Sequence, residues 1–403
     1  MTELETTTER TGNSDLRNKW RWVKLSEISE VISKGTTPST LGYSFTNAGV
    51  PFLRAEDVIG GPVRADRVAF HIDRETDAVL SRSRLKPGDL LITIAGTLGR
   101  VGYVADASPE MNCNQAVAFV RLKRDLADPE FLCLACQDKV TIAPLMEPRA
   151  GGSIQNLNLA QISSLKIPLP PLPEQKRIAT ILNEQMTAVE KARAATEAQL
   201  EAAKALPSAY LREVFNAPEA QKWPKKPFGN LVTNFDGKRI PVKLDDRRGR
   251  NGAYPYYGAS GIIDYVNEFL FDGDYLLIGE DGANLLLRSS PIAFKATGKF
   301  WVNNHAHVVQ PKDDVLMDYL IHFFTVTDLK PYVTGAAQPK LTQNDMNRIT
   351  VPVPSLEQQH ILTSRIFDQL SKTLRARNAL DSQFDSLERL PAALLRRAFN
   401  GEL

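Results

Sequence analysis

Few side chains in this sequence of 403 residues stand at the spacings that chemistry requires. No Gly-x-x-x-x-Gly-Lys-Ser/Thr run is present to wrap backbone N–H groups and a lysine around a nucleotide's phosphates. No Asn/Asp-Pro-Pro-Phe/Tyr run occurs, as an amino-methyltransferase needs to hold a flipped base. A Gly-rich strand-to-helix turn for S-adenosylmethionine is also missing, because Gly96-Thr-Leu-Gly99 is too short and lacks the helical sequel. The Gly-x-Ser-x-Gly elbow of serine hydrolases is absent. No catalytic residue is therefore assigned.

Metal chemistry fares no better. Cys133-Leu-Ala-Cys136 supplies two thiols and only Cys113 remains, so a four-cysteine zinc site is impossible. Completion by His71, His305, His307, His322 or His360 is the alternative. Apolar packing inside a helix near Phe131 is the expected role. His305-Ala-His307 puts two imidazoles on one strand face, and they are read as polar partners rather than ligands. No metal site is assigned.

Polar side chains that fall in or beside predicted turns carry more information. In the first half these are Lys34, Thr36, Thr37, Arg54, Thr97, Arg100, Asn114 and Gln115. In the second they are Lys238, Arg239, Tyr256, Tyr257, Asn284, Asn304 and His305. Arg, Lys, Asn and Gln reach phosphates and read base edges, and Tyr can stack or bond phosphate. Any one of them alone is an ordinary solvated turn residue. As a set present in both halves they favour a nucleic-acid face.

What must hold these turns is written twice. Ile167-Pro-Leu-Pro-Pro-Leu-Pro-Glu-Gln175 returns as Val351-Pro-Val-Pro-Ser-Leu-Glu-Gln-Gln359, at a constant offset of 184 positions. The same offset pairs Leu206-Pro207 and Phe215-Asn216 with Leu390-Pro391 and Phe399-Asn400, and Asn156-Leu157-Asn158 with Lys340-Leu341-Thr342. Other pairs need other offsets: Gly88-Asp89 with Gly273-Asp274, Asn114 with Asn304, and Trp22-x-x-Leu25 with Phe228-x-x-Leu231. The chain is a duplication with rigid ends and divergent heads.

The rigid ends are helical. From Pro173 to Ala205 there is no further Gly or Pro, and Ala, Glu, Gln and Lys dominate. Glu174 suits the positive end of the helix dipole, and Ser355 with Gln358 has the spacing of a capping box. A break is expected at Leu206-Pro207 and Leu390-Pro391, with a short amphipathic helix after each. Each long helix spans about 50 Å at 1.5 Å per residue. A heptad grid predicts pairing through Ile178, Leu182, Gln185, Val189 and Gln199 on one helix, and Leu362, Ile366, Gln369, Leu380 and Gln383 on the other. The heads, Trp20 to Pro170 and Trp223 to Pro354, read as mixed and strand-rich, with strands at 89–95, 116–121 and 274–278 and helices at 129–140 and 315–327. The fold class is α+β. Its segments are a mobile polar tail (1–18), a first head (19–170), a central long helix plus short helix (171–217), a second head (218–354) and a distal long helix plus short helix (355–403).

Composition sets outer bounds. Hydrophobic residues make up 43% and charged ones 24%, the profile of an ordinary globular protein. A net charge of +2 neither demands nor excludes nucleic acid. No apolar run approaches the roughly 20 residues that cross a bilayer. Met1 to Asn18 lacks the apolar core of a signal peptide, and three cysteines suit a reducing compartment, so the cytoplasm is expected.

In the order and duplication of its motifs, the sequence resembles the specificity subunits of type I restriction–modification systems. The matching elements are Gly35-Thr-Thr-Pro-Ser39, Pro87-Gly-Asp-Leu-Leu-Ile92 followed by Gly96-Thr97, the Gly152-to-Asn158 loop, the 167–175 block with its second copy, Tyr254-Pro-Tyr-Tyr-Gly-Ala-Ser-Gly261 and Gly279-Glu-Asp-Gly282. Gln358 departs from the family's usual Glu. The resemblance implies two target-recognition domains joined by two long helices packed as an antiparallel coiled coil, with pseudo-twofold duplication. Each domain would read half of an asymmetric bipartite site in double-stranded DNA. Implied partners are two adenine-methyltransferase subunits and motor-nuclease subunits, which would carry S-adenosylmethionine, ATP and Mg; this chain would carry no cofactor and touch no membrane. The rival readings are a coiled-coil scaffold that never meets DNA, and a self-contained nucleic-acid enzyme.

Overall fold

Short apolar runs such as Leu90–Thr93 and Val117–Leu122 become strands whose two faces are both buried. A computed structural model describes residues 20–146, 156–335 and 338–403. The 1–18 tail and most of the Gly152-to-Asn158 loop lie outside the described residues. Two compact units emerge, one made of Met1–Ala195 with Phe384–Leu403, the other of Thr196–Gln383. Both long helices are therefore shared between units by connectivity.

In the first unit β1 (Arg21–Lys24) pairs antiparallel with β10 (Lys166–Leu169). One four-stranded sheet has the order β2 (Ser29–Lys34), β9 (Val117–Leu122), β6 (Leu90–Thr93), β7 (Val101–Tyr103). A second has the order β4 (His71–Ile72), β3 (Val50–Leu53), β8 (Met111–Cys113), β5 (Arg84–Leu85). Alternation sorts their side chains between layers. Leu90 and Ile92 of β6 and Ala118 and Val120 of β9 face a core shared with helices, whereas Leu91, Val117 and Phe119 face the second sheet. The helices here are α1 (Arg74–Val79), α2 (Pro129–Gln137), α3 (Lys139–Met146) and α4 (Leu159–Ser164).

The second unit repeats the frame. β11 (Lys225–Pro227) pairs antiparallel with β18 (Thr350–Pro352). A six-stranded sheet follows the order β12 (Val232–Asn234), β17 (Ala306–Pro311), β15 (Phe271–Gly279), β16 (Ala293–Val302), β13 (Asn251–Gly258), β14 (Gly261–Val266). Its first three strands correspond to β2-β9-β6. Leu276 and Ile278 face the helical core and Leu277 faces the opposite one. With them come α6 (Phe228–Leu231), α7 (Leu244–Arg248), α8 (Asn284–Leu287), α9 (Met317–Val326) and α10 (Gln343–Arg348). One expected pairing shifts by three residues. Leu25 N–H donates to Leu165 O, and Phe228 N–H donates to Ile349 O, each at 2.8 Å. Leu25-x-x-Ile28, not Trp22-x-x-Leu25, is thus the counterpart of Phe228-x-x-Leu231.

Both long helices run further than expected. α5 (Leu172–Asn216) passes through Pro207, and α11 (Leu356–Phe399) passes through Pro391. A mid-helix proline removes one hydrogen bond at about 3 kcal/mol, and packing beyond it offsets this. Leu211 and Phe215 are buried in the second unit, and Leu394, Leu395, Ala398 and Phe399 in the first. Phe399 lies edge-on to Phe131 at 5.5 Å, and Phe215 packs on Tyr319 at 5.4 Å. Within the first unit Arg177 Nη2 donates to Leu403 O while Pro391 lies beside Asn183 and Glu190, so the paired segments run antiparallel. Ser355 and Gln358 do form their capping box, each bond at 3.3 Å.

The heptad grid needs correction. Ile178, Leu182, Val189 and Ile366 are buried, and Gln185, Leu362 and Leu380 are half-buried. Gln199, Gln369 and Gln383 are exposed and do not serve as pairing residues. The buried stripe instead runs Ile178, Val189, Leu200, Leu211, in steps of eleven residues. Eleven residues make three turns at 3.67 per turn, which follows a straight helix more closely than a seven-residue repeat. Leu200→Ala should therefore cost about 2 kcal/mol and Gln199→Ala no more than about 0.5 kcal/mol, as read from urea unfolding midpoints.

Sequence reading also missed the residue that ties each head to its helix. Gln175 is fully buried. Its Oε1 accepts the Asp128 N–H at 2.9 Å, and its Nε2 donates to Leu126 O and Pro170 O, both at 2.9 Å. Gln359 does the same in the second unit, with Leu316 N–H at 2.9 Å, Asp314 O at 3.1 Å and Pro354 O at 2.9 Å. Asp128 and Leu316 are the N-caps of α2 and α9. The signal was present, because Gln175 and Gln359 are the residues that end the duplicated block.

Candidate nucleic-acid interface

The predicted polar residues of the first head gather at one end of its sheets. β2 stops at Lys34 and β6 at Thr93, beside the start of β9, since Lys34 pairs with Ala118 and Thr93 with Val117. β3 and β8 run parallel and end together at Leu53 and Cys113. The turn after β2 lies against the turn after β8. Gly35 N–H donates to Val117 O and Thr36 N–H to Cys113 O, both at 3.2 Å. A Cβ on Gly35 would fall 1.9 Å from Cys113 O, so only glycine allows this approach. The Thr37 hydroxyl donates to Gln115 Oε1. Asn114 N–H donates to Leu53 O at 3.0 Å, and its Oδ1 accepts the Ala116 N–H at 3.1 Å. Arg54 stands next door, over the Phe70 ring at 4.6 Å and ion-paired with Glu56 at 3.1 Å. Thr93 Oγ1 accepts the Arg100 N–H at 2.9 Å and donates to Thr97 O, shaping the third turn. Lys34, Thr97, Arg100 and Gln115 are exposed.

The second head uses the same strand ends. Asn303 Oδ1 accepts the His305 N–H at 2.8 Å, reproducing the Asn114 turn. The counterpart of Asn114 is thus Asn303 rather than Asn304. Asn304 is exposed, as is His305, whose Nδ1 lies 2.8 Å from Asp281. Lys238 is exposed, with its ammonium 5.1 Å from the Phe235 ring. Asn284 organises its own turn, with Nδ2 donating to Ser290 O and Oδ1 accepting the Ser290 N–H.

Three predicted residues face inward. Tyr256 is 1% exposed and its hydroxyl accepts the Val242 N–H, which makes it a core residue. Tyr257 packs half-buried against Phe300 and Phe294. Arg239 donates from Nη1 to Glu280 Oε2 at 2.6 Å and to Ala306 O at 2.7 Å.

Arg239 belongs to a network with no local spacing to announce it. Asp236, Glu280 and His307 bring ligand-type atoms within 4.8 Å of one another. Each is engaged internally. His307 Nδ1 lies 2.6 Å from Asp236 Oδ2 and its Nε2 lies 2.8 Å from Leu341 O, while Asp236 Oδ1 accepts the Val308 N–H. Lys340 Nζ reaches Glu280 Oε1 at 3.0 Å. Two cations already neutralise the carboxylates, so the cluster suits pinning the 236–239 turn to β15 and β17. Burial acts to raise both carboxyls. For Asp236 the bonds from His307 and Val308, with Arg239, bring the value below the ordinary range. For Glu280 Arg239, His307 and Lys340 do so.

The cysteines are packing groups. Cys113, Cys133 and Cys136 are buried, and burial pushes the Cys133 thiol up to about 12. No helix among the described residues is long and apolar enough to cross a membrane.

Comparison with known proteins agrees with the duplicated frame. The family model for the type I restriction modification DNA specificity domain matches residues 17–201 and again 220–383. The chain belongs to that specificity family. A type I restriction enzyme EcoprrI specificity subunit of Escherichia coli is 24% identical over 88% of each chain. A putative specificity subunit of Haemophilus influenzae is 35% identical over 43% of this chain and 41% of its own length. The crystal structure of the HsdS subunit from Thermoanaerobacter tengcongensis shares the fold, with a TM-score of 0.69, 20% identity, and 95% and 97% of the two chains covered. As a member of this family the chain joins two mixed, strand-rich recognition domains through long helices, an α+β duplication.

Proposed function

We propose that the chain is the non-catalytic, DNA-addressing component of a type I restriction–modification complex. Each head applies the loop-bearing end of its β2-β9-β6 or β12-β17-β15 frame to one half of an asymmetric, interrupted duplex site. The long helices set the unread spacer and dock two adenine-methylating subunits and a motor-nuclease. Those partners carry S-adenosylmethionine, ATP and Mg, and the complex works in the cytoplasm. One observation carries the reading. Equivalent strand ends in both heads bear exposed polar side chains that differ between the heads, Lys34, Arg100 and Gln115 in one and Lys238, Asn304 and His305 in the other. A shared frame with different readers is what two unlike half-sites require.

Sequencing DNA for N6-methyladenine from cells that express this chain with its methylating subunit tests it. A split, asymmetric motif that disappears without this chain is expected; methylation unchanged by its omission would bring the scaffold reading forward. In a direct binding assay Arg100→Ala and Lys238→Ala should each weaken duplex binding several-fold and reduce the salt slope by about one. Unchanged affinity in both would remove these residues from the interface.

A further inference from the structure

A cavity in the first unit is lined by Tyr103, at the end of the β6–β7 pair opposite Thr93 and its turn. It encloses about 410 Å³ between the Gly60-Gly61-Pro62 turn, α2, the first half of α5 and Pro391. Glu130 is its anchor. Oε1 accepts the Tyr103 hydroxyl at 3.0 Å and Asn183 Nδ2 at 2.6 Å. Oε2 accepts no hydrogen bond from the described residues. Gln137 Nε2 lies 3.3 Å from Cys133 Sγ, which turns Oε1 of the same amide toward Gly60. A second carboxylate, Glu190, also lines the cavity, with Oε2 paired to Arg193 Nη2 at 3.2 Å; no Lys or Arg lines the cavity itself, and Pro62, Leu134 and Met186 supply apolar walls. The site thus presents free acceptors, negative charge and flat apolar surface.

The second unit lacks this arrangement. Gln175 and Gln359 bind the N–H of the N-cap residues of α2 and α9 alike, Asp128 and Leu316, which aligns Glu130 with Asp318. At the offset of the long helices, Asn183 becomes Phe367 and Glu190 becomes Leu374. The donor that orients the carboxylate and the second charge are both gone. The cavity is therefore no by-product of the shared frame.

We propose that this cavity binds a guanidinium group. A planar cation with several N–H donors meets the Glu130 and Gln137 acceptors together and stacks on the Pro62 and Met186 walls, whereas an ammonium is a more strongly hydrated point charge. The group comes either from a free small guanidine or from an arginine side chain of a protein partner. Agmatine titrated into the full-length chain by calorimetry is the first test. Saturable binding is expected, weakened about tenfold or more by Glu130→Gln and abolished by Asn183→Phe, which fills the cavity with the second repeat's residue. Phe367→Asn should leave it unchanged. Cadaverine should bind more weakly than agmatine. Thermal melts of both cavity variants confirm that they fold. No saturable binding, or binding indifferent to both variants, overturns the proposal. Loss of agmatine binding once the chain is assembled with its methylating subunits identifies a partner's arginine as the source; retained binding identifies a free ligand. The titrations use this chain alone and read no DNA affinity, so only the assembled arm rests on the proposed function.

Discussion

Gln175→Leu is expected to destabilise the first unit by roughly 3 kcal/mol or more, because it leaves one buried and two part-buried backbone groups without partners, at about 1–3 kcal/mol for a fully buried one. The side chain keeps its bulk, so packing changes little. What is lost is the bond to the Asp128 N–H at the start of α2 and the bonds to Leu126 O and Pro170 O, where the strand block meets α5. Gln359→Leu should do the same to the second unit and leave the first untouched. Hydrogen exchange resolves the two cases. The amide of residue 128 should lose protection in one variant and that of 316 in the other. Gln175→Glu retains an acceptor for Asp128 but loses the donors to both carbonyls, and should fall between wild type and leucine. Equal exchange in all variants would show that the buried amides do not carry the junction.

Acid is expected to unfold the second unit before the first. Asp236 and Glu280 sit below the ordinary carboxylate range in the folded chain: burial opposes the charge, but His307, Arg239 and Lys340 more than offset it. A depressed carboxyl contributes stability that is present above its unfolded value and lost as pH falls through the folded one. In the first unit two carboxyls, Asp57 and Asp89, move the other way. Burial raises Asp89 despite Arg121, and it raises Asp57 with help from Glu56. Their contribution is present at low pH and lost as pH rises through the folded values. Below about pH 4 the contribution of Asp236 and Glu280 is being lost, whereas that of Asp57 and Asp89 is already fully present. Trp301, buried in the second unit, should change emission at a higher pH than Trp20 and Trp22 in the first, as single-tryptophan variants would resolve. His307→Leu should weaken the second unit's acid step and destabilise it at neutral pH, since the buried Asp236 keeps only the Val308 N–H and Arg239 while Glu280 keeps Arg239 and Lys340. A single coincident acid transition in the wild type would refute this account.

The duplication was legible because helix packing tolerates no insertion, so one offset of 184 survives along both long helices and into the capped segments at Asn158 and Thr342. The heads were legible only as strands and turns. Their loops differ in length, which is how Asn114 came to be aligned with Asn304 when the bonding matches Asn303. The prolines misled because local geometry forecasts a break, and burial of Leu211, Phe215, Leu394 and Phe399 overrides it. The exposed candidates were found from residue type and turn position. The network of Asp236, Arg239, Glu280, His307 and Lys340 was not, because it is assembled from four separate segments and has no spacing of its own.

Residues 394–399, which follow the second domain in the chain, complete the core of the first, and this bears on how the protein is made. Phe399, Ala398, Leu395 and Leu394 share a core with Phe131, Leu182 and Val189. A ribosome that has finished Ala195 must still add the rest of the chain, some 10–40 s of synthesis at 5–20 residues per second, before those side chains exist. During that interval the nascent first domain exposes an apolar face with no occupant, while the second domain is still being translated. Folding order is thereby inverted relative to the usual amino-to-carboxyl progression, and the unfinished chain is the state in which a chaperone has most to cover.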